Sequence, residues 1–171
     1  MDSKRRYFLV AGATVAAAGL SSVIPPLLST SNAASMEKFE VTHTDAEWRT
    51  LLNKRAYSIL RQEGTEPPYT SPLNNEHRSG VFACAGCAQR LYSSKTKFES
   101  GTGWPSFWQP LDRAVITKAD NTLFMQRIEV RCSRCGGHLG HVFEDGPKPT
   151  GLRYCMNGAA MTFTPSTNQK E

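Results

Sequence analysis

The chain has 171 residues, the length of one ordinary domain and enough to bury a core without disulfides. Its 39% hydrophobic and 9% aromatic residues are typical of a globular protein. The net charge is +5, but Asp2, Lys4, Arg5 and Arg6 lie in a segment that we expect to be removed, which leaves 17 basic and 14 acidic residues. This small and scattered excess does not favour a nucleic-acid-binding surface, so nucleic acid is not an expected partner.

Residues 1–34 have the composition of an export signal. A basic start, "MDSKRR", precedes an apolar, Ala- and Gly-rich run from Phe8 to about Leu20, and "STSNAAS" supplies small residues for cleavage. The segment "RRYFL" resembles the twin-arginine pattern. An uncleaved anchor is the alternative, although Pro25-Pro26 interrupts the run before the ~20 apolar residues that a membrane span needs. We expect export to the periplasm or an equivalent compartment, with membrane contact only during export.

The rest of the chain is predicted to form one domain. Residues 35–43 are expected to be a linker, residues 44–165 a catalytic domain, and residues 166–171 a disordered tail. No sequence feature indicates an oligomer, and a monomer is the expectation.

One helix is predicted from about residue 45 to residue 62. Thr44-Asp45-Ala46-Glu47 is a capping box, and Gly64 is suited to end the helix. The apolar residues between them fall on one helical face: Trp48, Leu51, Leu52, Ile59 and Leu60.

After residue 64 the pattern changes to short β-prone runs. In the longest run Phe124, Ile128 and Val130 alternate with polar neighbours, which predicts a strand with one buried face. Asp120-Asn121 is predicted to be a hairpin turn. The sequence thus favours a mainly β, antiparallel domain with an N-terminal helix. The predicted strands are 80–84, 90–93, 114–118, 122–132, 138–143, 153–157 and 160–164.

Four of the five cysteines form two C-x-x-C pairs. Cys84 and Cys87 make one, and Cys132 and Cys135 make the other, followed by two glycines. Two such turns supply the four thiolates of a closed, structural zinc site. The 44 residues between the pairs exceed the spacing of a compact zinc ribbon, so the metal is expected to join two hairpins. Redox-active dithiols or two disulfides are the alternatives in an exported protein.

Cys155 is the thiol left over. A lone cysteine is most often a small buried apolar residue. Here Arg153 and Asn157 flank it at spacings of two, on the same face of a predicted strand. A guanidinium there favours the thiolate, and an amide is able to bind substrate. "HLGHVF" adds His138 and His141. These residues suit either acyl transfer by a Cys/His/Asn hydrolase or thiol redox chemistry.

The segment "SGTGWPSFW" concentrates aromatic residues among glycines and a proline. Its composition is typical of an irregular loop, and packing is the ordinary role of such residues. The functional interpretation is a small apolar pocket for a methyl-sulfur group. The aromatic residues are Trp104, Phe107 and Trp108.

Four segments together carry a family resemblance: "GTEPPYTSPLNNEHRSGVFACAGC", "TKFESGTGWPSFWQP", "MQRIEVRCSRCGGHLGHVFEDGP" and "GLRYCMNG". In this order they resemble the peptide-methionine (R)-S-oxide reductase family of the MsrB type, from about Thr44 to Thr164. The resemblance implies two antiparallel sheets, one structural zinc and reduction of the R epimer of methionine sulfoxide in proteins. It implies that Cys155 is the nucleophile and that the C-x-x-C cysteines bind zinc. The implied substrate-pocket residues are Trp104, His138, His141, Phe143, Arg153 and Asn157.

Two positions depart from the family's common pattern. Many members carry a resolving cysteine where this chain has Thr102. With the other cysteines assigned to zinc, an external thiol, expected to be a thioredoxin-like protein, must reduce the oxidised Cys155. Gly158 stands where Ser commonly follows the Asn, which raises a question about the geometry after the nucleophile. A non-catalytic zinc-ribbon module is the remaining rival, and its surface would be more basic than this one.

Overall fold

A computed structural model of the chain describes residues 38–121 and 126–167. The predicted export signal, residues 122–125 and the last four residues lie outside the described residues. Among the residues that are described, no helix is long and apolar enough to cross a membrane. Part of the predicted linker contacts the second C-x-x-C turn, because the Val41 amide donates to the Arg134 carbonyl and Arg134 pairs with Glu40.

The predicted single helix is two helices, α1 at Asp45–Leu51 and α2 at Lys54–Gln62. The capping box at Thr44 is confirmed. The helix breaks at Leu52, which takes an extended conformation and turns its side chain into the core, and Asn53 then caps α2 through the Ala56 amide. An Asn side chain competes well for backbone amides, so it starts a new helix here rather than continuing the old one.

The end of α2 also differs in detail from the prediction. The residue in the left-handed conformation is Glu63, with φ of 55°, and not Gly64. Gly64 is required for another reason: an added Cβ would lie 2.9 Å from the Ser58 carbonyl oxygen.

Within residues 38–121 and 126–167, nine strands form two antiparallel sheets, which confirms the predicted fold class. A three-stranded sheet has the order β2-β1-β9, and a six-stranded sheet has the order β3-β4-β8-β7-β6-β5. Every pairing within them is antiparallel. The strands are β1 Gly80–Cys84, β2 Arg90–Ser93, β3 Lys97–Phe98, β4 Ser106–Phe107, β5 Val115–Asp120, β6 Arg127–Cys132, β7 His138–Phe143, β8 Arg153–Met156 and β9 Met161–Pro165.

Two sequence expectations about the β5–β6 hairpin are wrong. Asp120 is the last residue of β5 and pairs with Arg127, so the predicted hairpin turn at Asp120-Asn121 is wrong. Phe124, predicted on the buried face of the next strand, lies outside the described residues. In β6 Ile128 is exposed, whereas Glu129 is buried and Val130 is buried as predicted. The burial of Glu129 follows from a hydrogen-bonded partner on β7, which alternation of hydrophobic residues does not reveal.

The core lies between the two sheets and α2. Phe82 of the small sheet contacts Phe107 of the large sheet edge to face, with ring centroids 4.9 Å apart, and Phe107 also stacks on Tyr92. These three rings and Leu91 are fully buried. They fix β4 firmly beside β8, the strand that carries Cys155.

Candidate active site and metal centre

The four C-x-x-C cysteines come together as predicted. Cys84 ends β1 and Cys132 ends β6, so the two turns belong to different sheets. The four sulfur atoms all lie within 4.8 Å of one another. The cluster therefore links the three-stranded sheet to the six-stranded sheet.

The geometry of this cluster fits a tetrahedral ion. Cys84 Sγ is 3.8 Å from Cys135 Sγ, and Cys87 Sγ is 3.5 Å from Cys132 Sγ. Four sulfurs at about 2.3 Å from a central ion lie about 3.8 Å apart at the corners of a tetrahedron. A disulfide needs about 2.05 Å, and all five cysteines are free. The four thiols are thus able to hold one metal ion and leave no open position on it.

Cys155 lies at the centre of the six-stranded sheet, away from the metal cluster in the fold. It pairs with Ser106 of β4 on one side and with His141 of β7 on the other. Gly140 allows β7 to approach this closely, because a Cβ there would lie 2.2 Å from the Cys155 carbonyl oxygen. Two hydrogen-bonded neighbours hold the nucleophile candidate in a rigid strand.

A cavity of about 150 Å³ opens over Cys155. Its volume suits a group of a few heavy atoms, such as a methyl sulfoxide. The lining combines aromatic walls with polar groups: Thr65, Trp104, Arg127, Gly140, His141, Phe143, Cys155 and Asn157. The structure therefore brings together five of the residues singled out from the sequence, namely Cys155, Trp104, His141, Phe143 and Asn157.

The aromatic segment divides between the cavity and the core. Trp104 lines the cavity, and its indole nitrogen donates to the Glu66 carbonyl at 3.0 Å. Phe107 lies on the opposite face of the chain, in strand β4, and is fully buried in the core. The predicted irregular loop is thus correct for Trp104 and wrong for Phe107, because the core claims the latter.

Burial raises the pKa of the Cys155 thiol, and hydrogen bonding to Thr102 together with the charge of Arg153 offsets this only in part. The Thr102 hydroxyl oxygen lies 3.7 Å from Cys155 Sγ. Ser100 continues this chain of hydroxyl groups, at 2.8 Å from Thr102 Oγ1 and 2.7 Å from Ser106 Oγ. The expected effect of Arg153 on the thiol is present, but burial is the larger influence.

Arg153 does not line the cavity over Cys155. Its guanidinium makes two hydrogen bonds with Asp145, at 2.8 and 2.9 Å, and lies over the Phe143 ring at 4.3 Å. The bond from Arg153 lowers the pKa of Asp145 below its ordinary value. Arg153 thus stacks on Phe143, which lines the cavity, and its positive charge lowers the pKa of the Cys155 thiol.

The two histidines each have a carboxylate partner. His141 Nε2 is 2.9 Å from Asp120 Oδ2, and His138 Nδ1 is 2.8 Å from Glu129 Oε1. Burial lowers the pKa of His141, although the bond to Asp120 opposes this. Burial is the largest single influence on Glu129 and would raise its pKa, but the bond and charge of His138 together with the charges of Arg131 and Lys118 lower the pKa overall. Each partner fixes which ring nitrogen remains for other contacts.

His138 lies beside the cavity over Cys155 rather than in it. It lines a neighbouring cavity of about 290 Å³, whose walls also include Asp120 and Glu129. His141 and Arg127 line both cavities, and the two histidine rings are 5.4 Å apart. His138 is therefore placed to act on the reacting atoms through His141 or through a bridging molecule.

Both polar atoms of the Asn157 side chain bind backbone. Its Nδ2 donates to the Leu139 carbonyl at 3.1 Å, and its Oδ1 accepts the Glu66 amide at 3.0 Å. The sequence predicted a donor to substrate, whereas these contacts lock the amide into β7 and the segment after α2. One Nδ2 hydrogen remains for a substrate or water.

The geometry after the nucleophile is maintained at Gly158. A Cβ added there would lie 1.8 Å from Ser71 Oγ and 2.6 Å from Ser71 Cβ. The buried Ser71 side chain thus occupies the space that a side chain at position 158 would need. The departure from the family pattern at Gly158 is accommodated by Ser71.

Sequence reasoning missed five residues of this site. Asp120, Glu129 and Arg127 fall in the predicted hairpin, and Thr65 and Glu66 lie outside the predicted helix and strands. Their contacts join different strands or segments, so no spacing pattern in the sequence marks them. Four of them lie inside the segments that carry the family resemblance, whereas Asp120 lies outside those segments.

The chain is similar to known proteins over most of its length. A family model described as SelR domain matches residues 52–165. A peptide methionine sulfoxide reductase MsrB of Methanosarcina mazei is 50% identical over 131 residues, covering 75% of this chain and 93% of the relative. The MsrB proteins of Agrobacterium fabrum and Methanosarcina barkeri are 50% and 51% identical, and the matches cover 94% and 96% of them. The chain belongs to the MsrB family of methionine sulfoxide reductases, which is built on the SelR domain.

Proposed function

We propose that this protein reduces the R epimer of methionine sulfoxide in other proteins, with Cys155 as nucleophile and an external thiol as reductant. Methionine sulfoxide reduction in general follows from membership in the family. One observation carries the finer proposal: Cys155 is the cysteine that stands apart from the metal cluster, and it opens into a small cavity with Trp104 on its wall.

The first step transfers oxygen to Cys155. The Cys155 thiolate attacks the sulfoxide sulfur and forms a sulfur–sulfur bond, while a proton goes to the sulfoxide oxygen. The resulting hydroxyl group then moves to the Cys155 sulfur: an oxygen–Cys155 bond forms, and both the sulfur–oxygen bond of the substrate and the sulfur–sulfur bond break. Methionine leaves with its sulfur reduced by two electrons, and Cys155 becomes a sulfenic acid, oxidised by two electrons. Arg153 supports the thiolate through its charge.

His141 is the best-placed proton donor. It is opposite Cys155 across the strand pair, and Asp120 holds its Nε2, which leaves Nδ1 for the substrate side. Asp120 also supports the imidazolium form that has a proton to give. A water held by His138 and Asn157 is the second candidate for this role.

Trp104 and Phe143 determine the epimer. A sulfoxide sulfur is a stereocentre. When the oxygen faces His141 and the sulfur faces Cys155, the position of the methyl group is therefore fixed for each epimer. Trp104 is fixed by its bond to the Glu66 carbonyl, and Phe143 is fixed under Arg153. Apolar walls at these positions favour the R epimer, whose methyl group they cover.

The sulfenic acid is reduced from outside. A donor thiol attacks the Cys155 sulfur, water leaves, and a mixed disulfide forms; a second donor thiol then releases Cys155 as a thiol and leaves with the disulfide. The Thr102 hydroxyl oxygen lies 3.7 Å from Cys155 Sγ, at the position where many family members carry a resolving cysteine. A thioredoxin-like dithiol is the proposed donor.

Mass spectrometry of the substrate-oxidised enzyme tests this step. We expect a sulfenic acid at Cys155, trapped by dimedone, and no disulfide between Cys155 and another cysteine of the chain. An internal disulfide would refute the external route.

Zinc is the proposed ion of the four-thiolate cluster. A closed tetrahedral set of thiolates favours zinc, and its role is to join the two sheets. Cys84, Cys87, Cys132 and Cys135 would hold the ion, which supplies no chemistry to the sulfoxide. The protein is proposed to act as a monomer in the periplasm or an equivalent compartment after twin-arginine export.

Stereospecific turnover tests the whole proposal. Purified enzyme is given peptides with R- or S-methionine sulfoxide, with dithiothreitol, with a thioredoxin system, or without reductant. We expect reduction of the R epimer only, and only a single turnover without reductant. A cysteine hydrolase, the rival function, would release acyl products and need no reductant. The bonds of Asn157 to Leu139 and Glu66, rather than to His141, argue against that rival.

A further inference from the structure

Glu66 connects two residues that line the cavity over Cys155. It follows α2 by four residues and is only 3% exposed. Its backbone carbonyl accepts the Trp104 indole N–H at 3.0 Å, and its backbone amide donates to Asn157 Oδ1 at 3.0 Å. Trp104 and Asn157 both line the cavity.

The Glu66 side chain anchors this backbone from below. One carboxyl oxygen accepts the Gly158 amide, and the other accepts the Ala159 amide at 3.2 Å. These amides begin the short 3₁₀ turn that directly follows Asn157. The anchor therefore lies three and four residues from Cys155, in the continuation of strand β8.

Burying a carboxyl group is costly unless its oxygens are bonded, and both oxygens of Glu66 are bonded to the same turn. A small apolar side chain at position 66 would fill the same volume without the cost of burying a carboxyl group. A carboxyl group there instead gives a directional attachment, because two amides at one turn fix both its distance and its angle. The segment at Glu66 is thus held to the strand end that carries Cys155 and Asn157.

We propose that Glu66 is a positioning residue that sets the separation between the Trp104 indole and the Cys155 sulfur, and so determines how sharply the cavity distinguishes the two sulfoxide epimers. This rests on the proposed function, in which Trp104 covers the methyl group. The Glu66 side chain attaches the segment to the turn after Asn157, and the Glu66 backbone carbonyl holds the Trp104 indole.

Three variants test this role: Glu66→Ala removes the anchor, Glu66→Gln keeps its shape and one acceptor, and Trp104→Phe keeps a ring but removes the indole N–H. We expect Glu66→Ala to lower kcat/KM for the R epimer by about tenfold to a hundredfold, the usual cost of a misplaced substrate group. The ratio of R to S turnover falls as well, and Glu66→Gln recovers most of both.

The double variant Glu66→Ala/Trp104→Phe separates positioning from general damage. If Glu66 acts through Trp104, the second substitution costs much less in the Glu66→Ala background than in the wild type. Glu99→Ala is the matched control, since Glu99 is an exposed glutamate paired with Lys97. It should leave activity and epimer ratio unchanged.

Two kinetic outcomes would overturn the proposal. One is loss of activity in Glu66→Ala that matches its folded fraction, with an unchanged epimer ratio. The other is fully additive effects in the double variant. Nuclear magnetic resonance of the Trp104 indole N–H gives a readout that needs no turnover: Glu66→Ala should shift its signal and speed its hydrogen exchange. An unchanged signal refutes the positioning role, whereas absent turnover in the wild type refutes the proposed function instead.

Discussion

The metal cluster and the cavity over Cys155 use the same side chain in opposite ways. In the cluster four thiols lie within 4.8 Å of one another, so each is held by its neighbours and by the ion they would share. Around Cys155 the neighbours are instead hydroxyl groups, a histidine and an arginine charge. The groups around a cysteine therefore make it structural or reactive. Its exposure does not, because the cysteines of both sites are partly buried.

Replacing the reactive thiol should have the largest effect on activity. Cys155→Ser removes the nucleophile, and we expect sulfoxide turnover to fall by more than about 1000-fold. Metal content, measured by inductively coupled plasma mass spectrometry, should stay at one ion per chain. Turnover at a tenth of the wild-type rate would remove Cys155 from its proposed role.

The same substitution in the cluster should affect the fold instead. Cys132→Ser removes a buried ligand that ends β6, and we expect bound metal to be lost and the free energy of unfolding to fall by about 4 kcal/mol or more. Cys155→Ser is the matched control, because it makes the same atomic change without touching the cluster. Equal stability of the two variants in denaturant titrations would contradict a structural ion.

The charge partner of His141 gives a smaller effect that depends on pH. The pKa of Cys155 is raised and that of His141 is lowered, so the thiolate–imidazolium pair is a minority form at neutral pH. Between the two pKa values its fraction is constant and depends only on their difference. The acid limb of the kcat/KM profile then reports His141, and the alkaline limb reports Cys155.

Asp120→Asn is expected to lower the pKa of His141 further, because the bond to Asp120 raises it in the wild type. The acid limb should move to lower pH, and the plateau of kcat/KM should fall about three- to tenfold, by the same factor as the limb moves. Thr117→Ala, which changes an exposed residue of the same strand, is the control. A change in the alkaline limb alone would show that His141 is not the donor.

The hydroxyl group of Thr102 should have the smallest effect. Its bond lowers the pKa of Cys155, so Thr102→Val should raise that pKa and move the pH profile of Cys155 alkylation by iodoacetamide to higher pH. The shift should change the rate at neutral pH by about two- to fivefold. Thr102→Ser keeps the hydroxyl group and should behave like the wild type. Alkylation profiles that do not differ between Val and Ser would exclude this contact.

Features that depend on residues close together in the sequence could be predicted. The C-x-x-C turns, the capping box at Thr44 and strands β1, β2 and β7 were predicted with the bounds that the structure has or nearly so. The break between α1 and α2 was not, because it depends on whether Leu52 finds room in the core. The burial of Glu129 in β6 was missed for the same reason, since its partner His138 lies on another strand.

The candidate site follows the same division. The residues around Cys155 and the composition of the segment around Trp104 indicated both positions, as did the family resemblance. The structure places both residues on one cavity. Glu66 and Asp120 carry no local signature, because each contacts a residue far away in the chain. Arg127 contacts Asp120 across the β5–β6 pair, and the register of that pair is not evident from the sequence.

The chemistry that is available can be read from the sequence: four thiols spaced for a metal, one thiol spaced away from them, and two histidines on a neighbouring strand. The pKa values, orientations and separations of those groups depend instead on the folded chain. Burial raises the pKa of Cys155, carboxylates orient the histidines, and Glu66 ties the Trp104 wall to the strand of the nucleophile. These effects depend on distance and on exclusion of water, and both are properties of residues brought together from different parts of the chain.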